Sequence, residues 1–286
     1  MKLVVHAGTH KTASSTFQAV LTACRDELVK SGVIYPDIRG WPQHSRLAWL
    51  LQAGEEEQLS ALLGDCVAQA KRTGCQTVLL SGEDFENCLV DFDAAHRFDA
   101  LARQQGINEI DWIFVARDPF DYLLSIYGTM SKQRVCLNLD EMARILRSRG
   151  YLSASNSSYN YHFVFDVRER SKRFAEAVSG DVRILDFAAF TTGFVGSTLL
   201  RELVTHEASW DVVSEIARNV KPLNRRKTAA ETERGYAMNA LGIPVNDTAS
   251  YLEHKELVDA IAAFRLKRTE AILPGMAQKI RKANQK

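Results

Sequence analysis

The sequence predicts an α/β fold of three layers, with a central parallel sheet of about four to five strands flanked by helices. Two observations predict it. Short apolar runs recur along the chain, "KLVVHAG", "QTVLLSGED", "EIDWIFVARD" and "DVRILDF", each with the length and composition of a buried strand. Between them lie stretches whose apolar residues recur at the spacing of a helix face. Strands that alternate with helices run parallel, because each helix returns the chain to the edge where the previous strand began. The 286 residues are 46% hydrophobic and 25% charged, an ordinary balance for a packed core. No internal repeat or low-complexity linker breaks the chain, so a single domain is expected over residues 1–286, helical from about residue 188.

Each element has its own warrant. "KLVVHAG" is apolar and ends in glycine, and a helix follows from Lys11 to about Lys30 with Phe17, Val20, Leu21, Cys24 and Leu28 on one face. "SGVIYPD" ends that unit, and helices are expected at about Gln43–Gln52 and Glu55–Lys71. "QTVLLSGED" carries Glu83 and Asp84 at its carboxyl end, and Asp93–Gln105 reads as the next helix. "EIDWIFVARD" runs into a helix from Pro119 to about Lys132, with proline suited to the first turn. Ser148–His162, "SRGYLSASNSSYNYH", is polar and irregular and reads as a long functional loop. The amphipathic stretch Phe163–Val178 precedes the fourth strand. The last long helix is expected at about Tyr251–Ile272, with Leu257, Val258, Ile261 and Phe264 on one side, before a basic tail that frays.

Charge and cysteine usage narrow the function. A net charge of +1 gives no reason to expect a nucleic-acid or membrane partner, so any anion site must arise from local placement. The five cysteines, Cys24, Cys66, Cys75, Cys88 and Cys136, form no CxxC pair and are odd in number. They read as reduced thiols in a cytoplasmic protein, with no disulfide frame and no metal site. The apolar run in "MKLVVHAG" is too short for a signal peptide or membrane span, and no longer run follows.

Two stretches carry chemistry. In "GTHKTASST", Gly8 to Thr16, a strand ends in a tight loop that opens a helix. Unpaired amides and the positive end of the helix dipole make such a junction an anion site. Gly8 permits close backbone approach. Thr9 and His10 lead to Lys11, which adds a charge, and Thr12, Ser14 and Ser15 add hydroxyls around Ala13. The spelling differs from GxxxxGK[ST], since His10 stands where that motif has its second glycine. The plain alternative is a capped helix with Lys11 solvated. In "VARDPFDYLLSIYGTMSK", Arg117 ends a strand and Ser125 lies about two helical turns on, facing the same side. The guanidinium fork suits a phosphate. The alternative here is an Arg117–Asp118 pair at the helix start, with Ser125 packed.

Together "GTHKTASST" and "RDPFDYLLS" resemble the sulfotransferases that use 3′-phosphoadenosine 5′-phosphosulfate (PAPS), a family with a P-loop-like fold. The resemblance implies that the lysine loop binds the 5′-phosphosulfate and that Arg117 and Ser125 bind the 3′-phosphate. It covers these two motifs and the strand–helix order of the first ~190 residues. Ala13 stands where many members carry glycine, a change acceptable at a helix start. "KPLNRRKT", Lys221–Thr228, has the charge for a further phosphate contact through Arg225 and Arg226, or is a solvated basic turn.

The activity implied is transfer of a sulfuryl group from PAPS to a hydroxyl of a glycan or small metabolite, releasing adenosine 3′,5′-bisphosphate (PAP), with no metal required. Lys11 would stabilise charge on the bridging oxygen, and a base would take the hydroxyl proton. Glu83, at a strand end where open α/β sheets place their sites, is the first candidate base, and glycan-directed members of the family use a glutamate in this region. Asp84 is its neighbour. His44, in "WPQHSRLAWL", is the second candidate, since cytosolic relatives use a histidine. His6 reads as core. Trp41, Trp49, Tyr159 and Tyr161 could stack on an acceptor or simply pack. Two further readings stand beside this one. One is a Mg²⁺-dependent P-loop kinase with Asp84 on the metal. The other is a nucleotide-binding module without catalysis.

Overall fold

The computed structural model describes residues 1–132, 136–155, 160–223 and 227–283. The chain begins with β1 (Lys2–Gly8), α1 (Ser14–Ala23), α2 (Arg25–Lys30), β2 (Val33–Ile34), α3 (Ser45–Ala53), α4 (Glu56–Thr73) and β3 (Thr77–Ser81). A 3-10 helix, η1 (Glu83–Leu89), leads to α5 (Phe92–Gln104), β4 (Glu109–Ala116), α6 (Pro119–Met130), α7 (Leu139–Arg149), β5 (Tyr151–Ser155) and β6 (Asn160–Val164). Then come α8 (Val167–Ala177), β7 (Val182–Asp186), α9 (Phe187–Thr191), α10 (Ser197–Leu203), α11 (Glu207–Asn219), α12 (Ala229–Ala240), α13 (Thr248–Glu253) and α14 (Lys255–Ala283). These divide into two compact units, Met1–Arg117 with Ser153–Asn224, and Asp118–Leu152 with Arg225–Lys286.

The first unit holds a five-stranded parallel sheet in the order β2-β3-β1-β4-β7. The α/β fold with a parallel central sheet is therefore as the sequence predicts, and β2 is the fifth strand. At two residues β2 is too short to show a period, which is why "SGVIYPD" reads only as the end of a unit. Alternation along β4 produces the layers. Ile113 and Val115 face a cluster with Phe17 and Leu21 of α1, Phe190 of α9 and Leu200 of α10. Trp112 and Phe114 point the other way, against Phe174 of α8 at ring distances of 5.3 and 5.4 Å, and Trp112 also meets Phe98 of α5 at 5.5 Å. Helices thus cover both faces of the sheet.

Three expectations change in detail. The helix foreseen from Lys11 to Lys30 starts at Ser14 and breaks at Cys24 into α1 and α2, because residues 9–13 are taken up by the loop. The stretch foreseen as a long loop at Ser148–His162 contains β5 and the start of β6, which pair as a two-stranded sheet. Glu83 and Asp84 begin η1 rather than end a strand.

The second unit is helical. Its centre is a polar knot: the Arg265 guanidinium donates to Glu233 at 2.9 Å, to the Tyr127 hydroxyl at 3.0 Å and to Asn138 at 3.2 Å, while Thr269 donates to Glu233 at 2.6 Å. Glu233 is buried, so its charge depends on these partners. Thr228 and Glu231 form a capping box at α12. The final helix runs to Ala283, into the tail expected to fray. Its foreseen apolar face is split: Val258 is buried and Ile261 packs beside it, but Leu257 and Phe264 are exposed. Among the described residues no helix is long and apolar enough to cross a membrane. All five cysteines are free thiols, four of them buried.

Candidate anion-binding site

In a parallel sheet all carboxyl ends lie along one edge. The chain leaves β1 toward β2 and leaves β4 toward β7, in opposite directions, so the carboxyl ends of β1 and β4 mark the point where open α/β sheets place their ligand sites. The loop Thr9–Ala13 follows β1, Arg117 follows β4, and η1 with Glu83 follows β3 on the other side of β1.

The loop is built by its own hydroxyls. Thr9 is buried, and its Oγ1 donates to the Val115 carbonyl at 2.9 Å, tying the loop to β4. Thr12 is buried and donates to the Thr9 carbonyl, while its oxygen accepts from the Thr9 amide at 3.3 Å. Ser14 is also buried, with its hydroxyl 3.4 Å from the same carbonyl. The Thr12 and Ser14 hydroxyls, expected to face a ligand, are thus spent on folding the loop, and Ser15 is half-buried. Gly8 has φ of 75°, and a Cβ there would come within 3.0 Å of Ser14 Oγ and 3.4 Å of Glu83. Lys11 at 62° and Ala13 at 65° are left-handed, with Thr12 between them not so. Such alternation turns successive amides to one side as a concave anion nest.

Ala13 is the residue before α1 and holds the left-handed conformation without a side-chain cap. An alanine is therefore not neutral at this position. A non-glycine residue pays about 1–2 kcal/mol for left-handed φ, partly offset by glycine's larger unfolded entropy. Ala13→Gly is expected to leave stability unchanged or raise it by up to about 1 kcal/mol. Gly8→Ala is expected to lower it by at least about 1–2 kcal/mol, since it meets both the strain and the contacts. Thermal melts of the two variants check this.

Arg117 Nη1 donates to the Lys11 carbonyl at 2.9 Å, and the guanidinium lies 4.9 Å from the Phe187 ring centre. The two sequence motifs therefore meet at Lys11. Asp118 caps α6, accepting from Phe120 and Asp121 at 3.1 and 3.0 Å. Ser125 is half-buried on α6 in the helical unit, its carbonyl accepting from Thr129 at 3.1 Å. Arg225 and Arg226 lie outside the described residues, as does Tyr159. Next to them, the Leu223 amide donates to Thr16 in the first turn of α1 at 3.3 Å. In the helical unit Lys227 donates to Ser131 at 3.2 Å.

The acids cluster on η1. Glu83 is half-buried beside Gly8. Burial pushes its carboxyl above the usual range, Asp84 and Glu86 push the same way, and His10 and Lys11 oppose them. Burial works on Asp84 too, but the neighbouring His10, Ser45 and Trp49 hold it below the usual range. Glu86 is fully buried, and one of its oxygens accepts from both the His10 amide, at 2.6 Å, and the His10 Nδ1, at 2.7 Å. Nothing in the sequence reading picked out Glu86, although three acids within "GEDFE" at a strand end are the signal that could have.

His44 is fully buried and brackets the last peptide of β3. Its amide donates to the Ser81 carbonyl at 2.8 Å and its Nδ1 accepts from the Ser81 amide at 2.9 Å. With Nδ1 accepting, Nε2 carries the proton and donates to the Pro36 carbonyl at 3.0 Å. Both ring nitrogens are occupied, and burial lowers the ring to about 4. The ring locks the strand end and has no nitrogen to offer an acceptor hydroxyl. His6 is core, as read from the sequence, between Phe17 and Phe190. Trp41 and Trp49 meet edge to face at 6.1 Å, with Arg46 over Trp41. Comparison of the chain with known proteins finds no matching family model, no matching curated protein and no matching solved structure.

Proposed function

We propose that the protein is a sulfotransferase that moves a sulfuryl group from PAPS to an acceptor hydroxyl on a glycan or small metabolite. The observation that carries this is the convergence, beyond the carboxyl ends of β1, β3 and β4, of a loop with left-handed turns at Lys11 and Ala13, of Arg117 bonded to that loop, and of a half-buried carboxylate, Glu83, beside Gly8. The nest and the first turn of α1 fit a 5′-phosphosulfate. Arg117 is assigned to the 3′-phosphate. In the reaction the acceptor oxygen bonds to sulfur as the bond from sulfur to the bridging oxygen breaks. Glu83 takes the hydroxyl proton, and Lys11 faces the charge left on PAP. Asp84, which a kinase would need on a metal, already faces His10 Nε2 at 3.7 Å. The free thiols suit a cytoplasmic setting.

PAP is expected to bind about 10- to 150-fold more tightly than AMP, the range of one charged hydrogen bond at 1.5–3 kcal/mol. Calorimetry decides it. Equal affinity for the two, or tighter binding of ATP with Mg²⁺, overturns the reading.

A further inference from the structure

We propose that His10 and Glu86 are positioning residues of the anion loop: Glu86 holds His10 as an imidazolium, and that pair sets the loop's grip on an anion. The inference rests on the reading above only for the identity of the anion.

The geometry carries the argument. One oxygen of Glu86 accepts from the backbone amide and the ring of the same residue, so the carboxylate fixes the Thr9–His10 peptide and the His10 side chain at once. A carboxylate only accepts, so Nδ1 must carry a proton. The other ring nitrogen, Nε2, lies 3.7 Å from an Asp84 oxygen, an ion-pair distance. A ring flanked by carboxylates on both nitrogens is stable with both protons in place. Glu86 is fully buried, and a buried carboxylate is strongly destabilising without a cation beside it. The His10 side chain is itself only 12% exposed.

The groups that face His10 come from three elements. The loop supplies Lys11, which repels a charged ring. From η1 come Glu83, Asp84 and Glu86, which favour it. From β6 comes the Phe163 ring, edge-on at 5.0 Å, while His162 on the same strand interacts with Glu86, its own charge disfavoured by burial. Burial alone would lower the His10 ring, but Asp84, Glu86 and Glu83 together raise it well above the usual histidine range. The second Glu86 oxygen accepts from the Val164 amide, and the His162 amide donates to Asn87 at 2.7 Å. Glu86 thereby joins the loop to β6.

The position has consequences for the loop's shape. The amide of residue 10 is held by Glu86 and the carbonyl of residue 11 by Arg117. These two ties stand on either side of the left-handed turn at Lys11. Losing the ring proton removes a positive charge from beside the loop amides, while the tie from Glu86 to the residue 10 amide stays in place.

The test uses the whole chain and inorganic sulfate, whose charge does not change over the pH range scanned. Nitrogen NMR of the His10 ring in the wild-type protein should show both nitrogens protonated at about pH 7.5, above the usual histidine pKa of about 6.5. In Glu86→Gln the ring should be neutral at the same pH. Sulfate should bind wild type about tenfold more tightly than His10→Gln near neutral pH, the scale of one charged hydrogen bond. That ratio should shrink toward one as the wild-type ring loses its proton at higher pH. A neutral His10 ring in the wild type at about pH 7.5, or a ratio that stays constant across the scan, overturns the proposal. The wild-type spectrum decides it even if a variant does not fold. The comparison of PAP with AMP is separate. A pH-dependent sulfate ratio with no preference for PAP keeps this inference and removes the sulfotransferase reading, and the opposite pair of results does the reverse.

Discussion

Lys11→Ala is expected to cut turnover by about 10²–10³-fold while leaving most of the affinity for PAP, because Lys11 is assigned to charge that grows only in the transition state. Alanine is the informative replacement. Lys11 sits at φ of 62°, so alanine keeps the backbone cost as it is, whereas glycine would relieve it and mix a stability gain into the result. The Lys11 carbonyl bonded to Arg117 belongs to the backbone and survives the change. The ground state is then held by the same nest amides, and PAP should lose only the uniform attraction of one half-buried ammonium. A second effect has a definite sign. Lys11 lowers the Glu83 carboxyl, so removing it should raise that group further and move the acidic limb of the rate profile to higher pH. Arg117→Ala should behave differently. It removes the tie on Lys11 together with the group assigned to the 3′-phosphate, so PAP affinity and turnover should fall together. Steady-state kinetics beside calorimetry separates the two patterns. Near-normal turnover of Lys11→Ala with an acceptor that serves the wild type removes the assigned role.

What could be read in the sequence was what side-chain chemistry encodes. The apolar runs produced four of the five sheet strands, and a glycine followed by a lysine and hydroxyls marked the loop after the central one. Backbone sign was not legible. Lys11 and Ala13 look like ordinary helix formers, so the helical period extends back to Lys11, three residues before α1 begins. Two partners were invisible for a related reason. Glu86 reaches the loop because η1 curls the residues after β3 back toward β1, and a 3-10 turn leaves no periodic mark. His44 looked available because a histidine before a helix has no burial signature, and only the pairing with Ser81 shows what it does. The helix after Arg117 was legible from Pro119 onward, yet the boundary between the two units falls immediately after Arg117. No hydrophobic pattern marks such a boundary where a strand runs straight into a helix start.

Glu83→Gln is expected to lower turnover by about 10²–10⁴-fold, the usual loss when a general base is removed, and to leave PAP binding intact. Glutamine keeps the size and one acceptor oxygen, so contacts with the loop beside Gly8 persist, but it cannot take a proton. The wild-type pH profile should carry the same signature. Glu83 works as a base only when ionised, and burial with help from Asp84 and Glu86 raises its carboxyl. Activity should therefore be full at higher pH and fall as pH drops through a value above the ordinary glutamate pKa of about 4.3. Glu83→Gln should lose that limb. His44→Asn should show a different kind of damage. Removing the ring leaves the Ser81 amide and the Pro36 carbonyl without partners in a buried site, at about 1–3 kcal/mol for an unsatisfied group. The variant should melt at lower temperature, while its folded fraction keeps turnover within about tenfold of wild type, far from the loss of a base. Measured together with PAP affinity, the two variants separate chemistry from support. A Glu83→Gln enzyme that turns over normally, with a His44→Asn protein that folds and binds PAP but is inactive, would move the base to His44 and require the ring to leave the Ser81 peptide during the reaction.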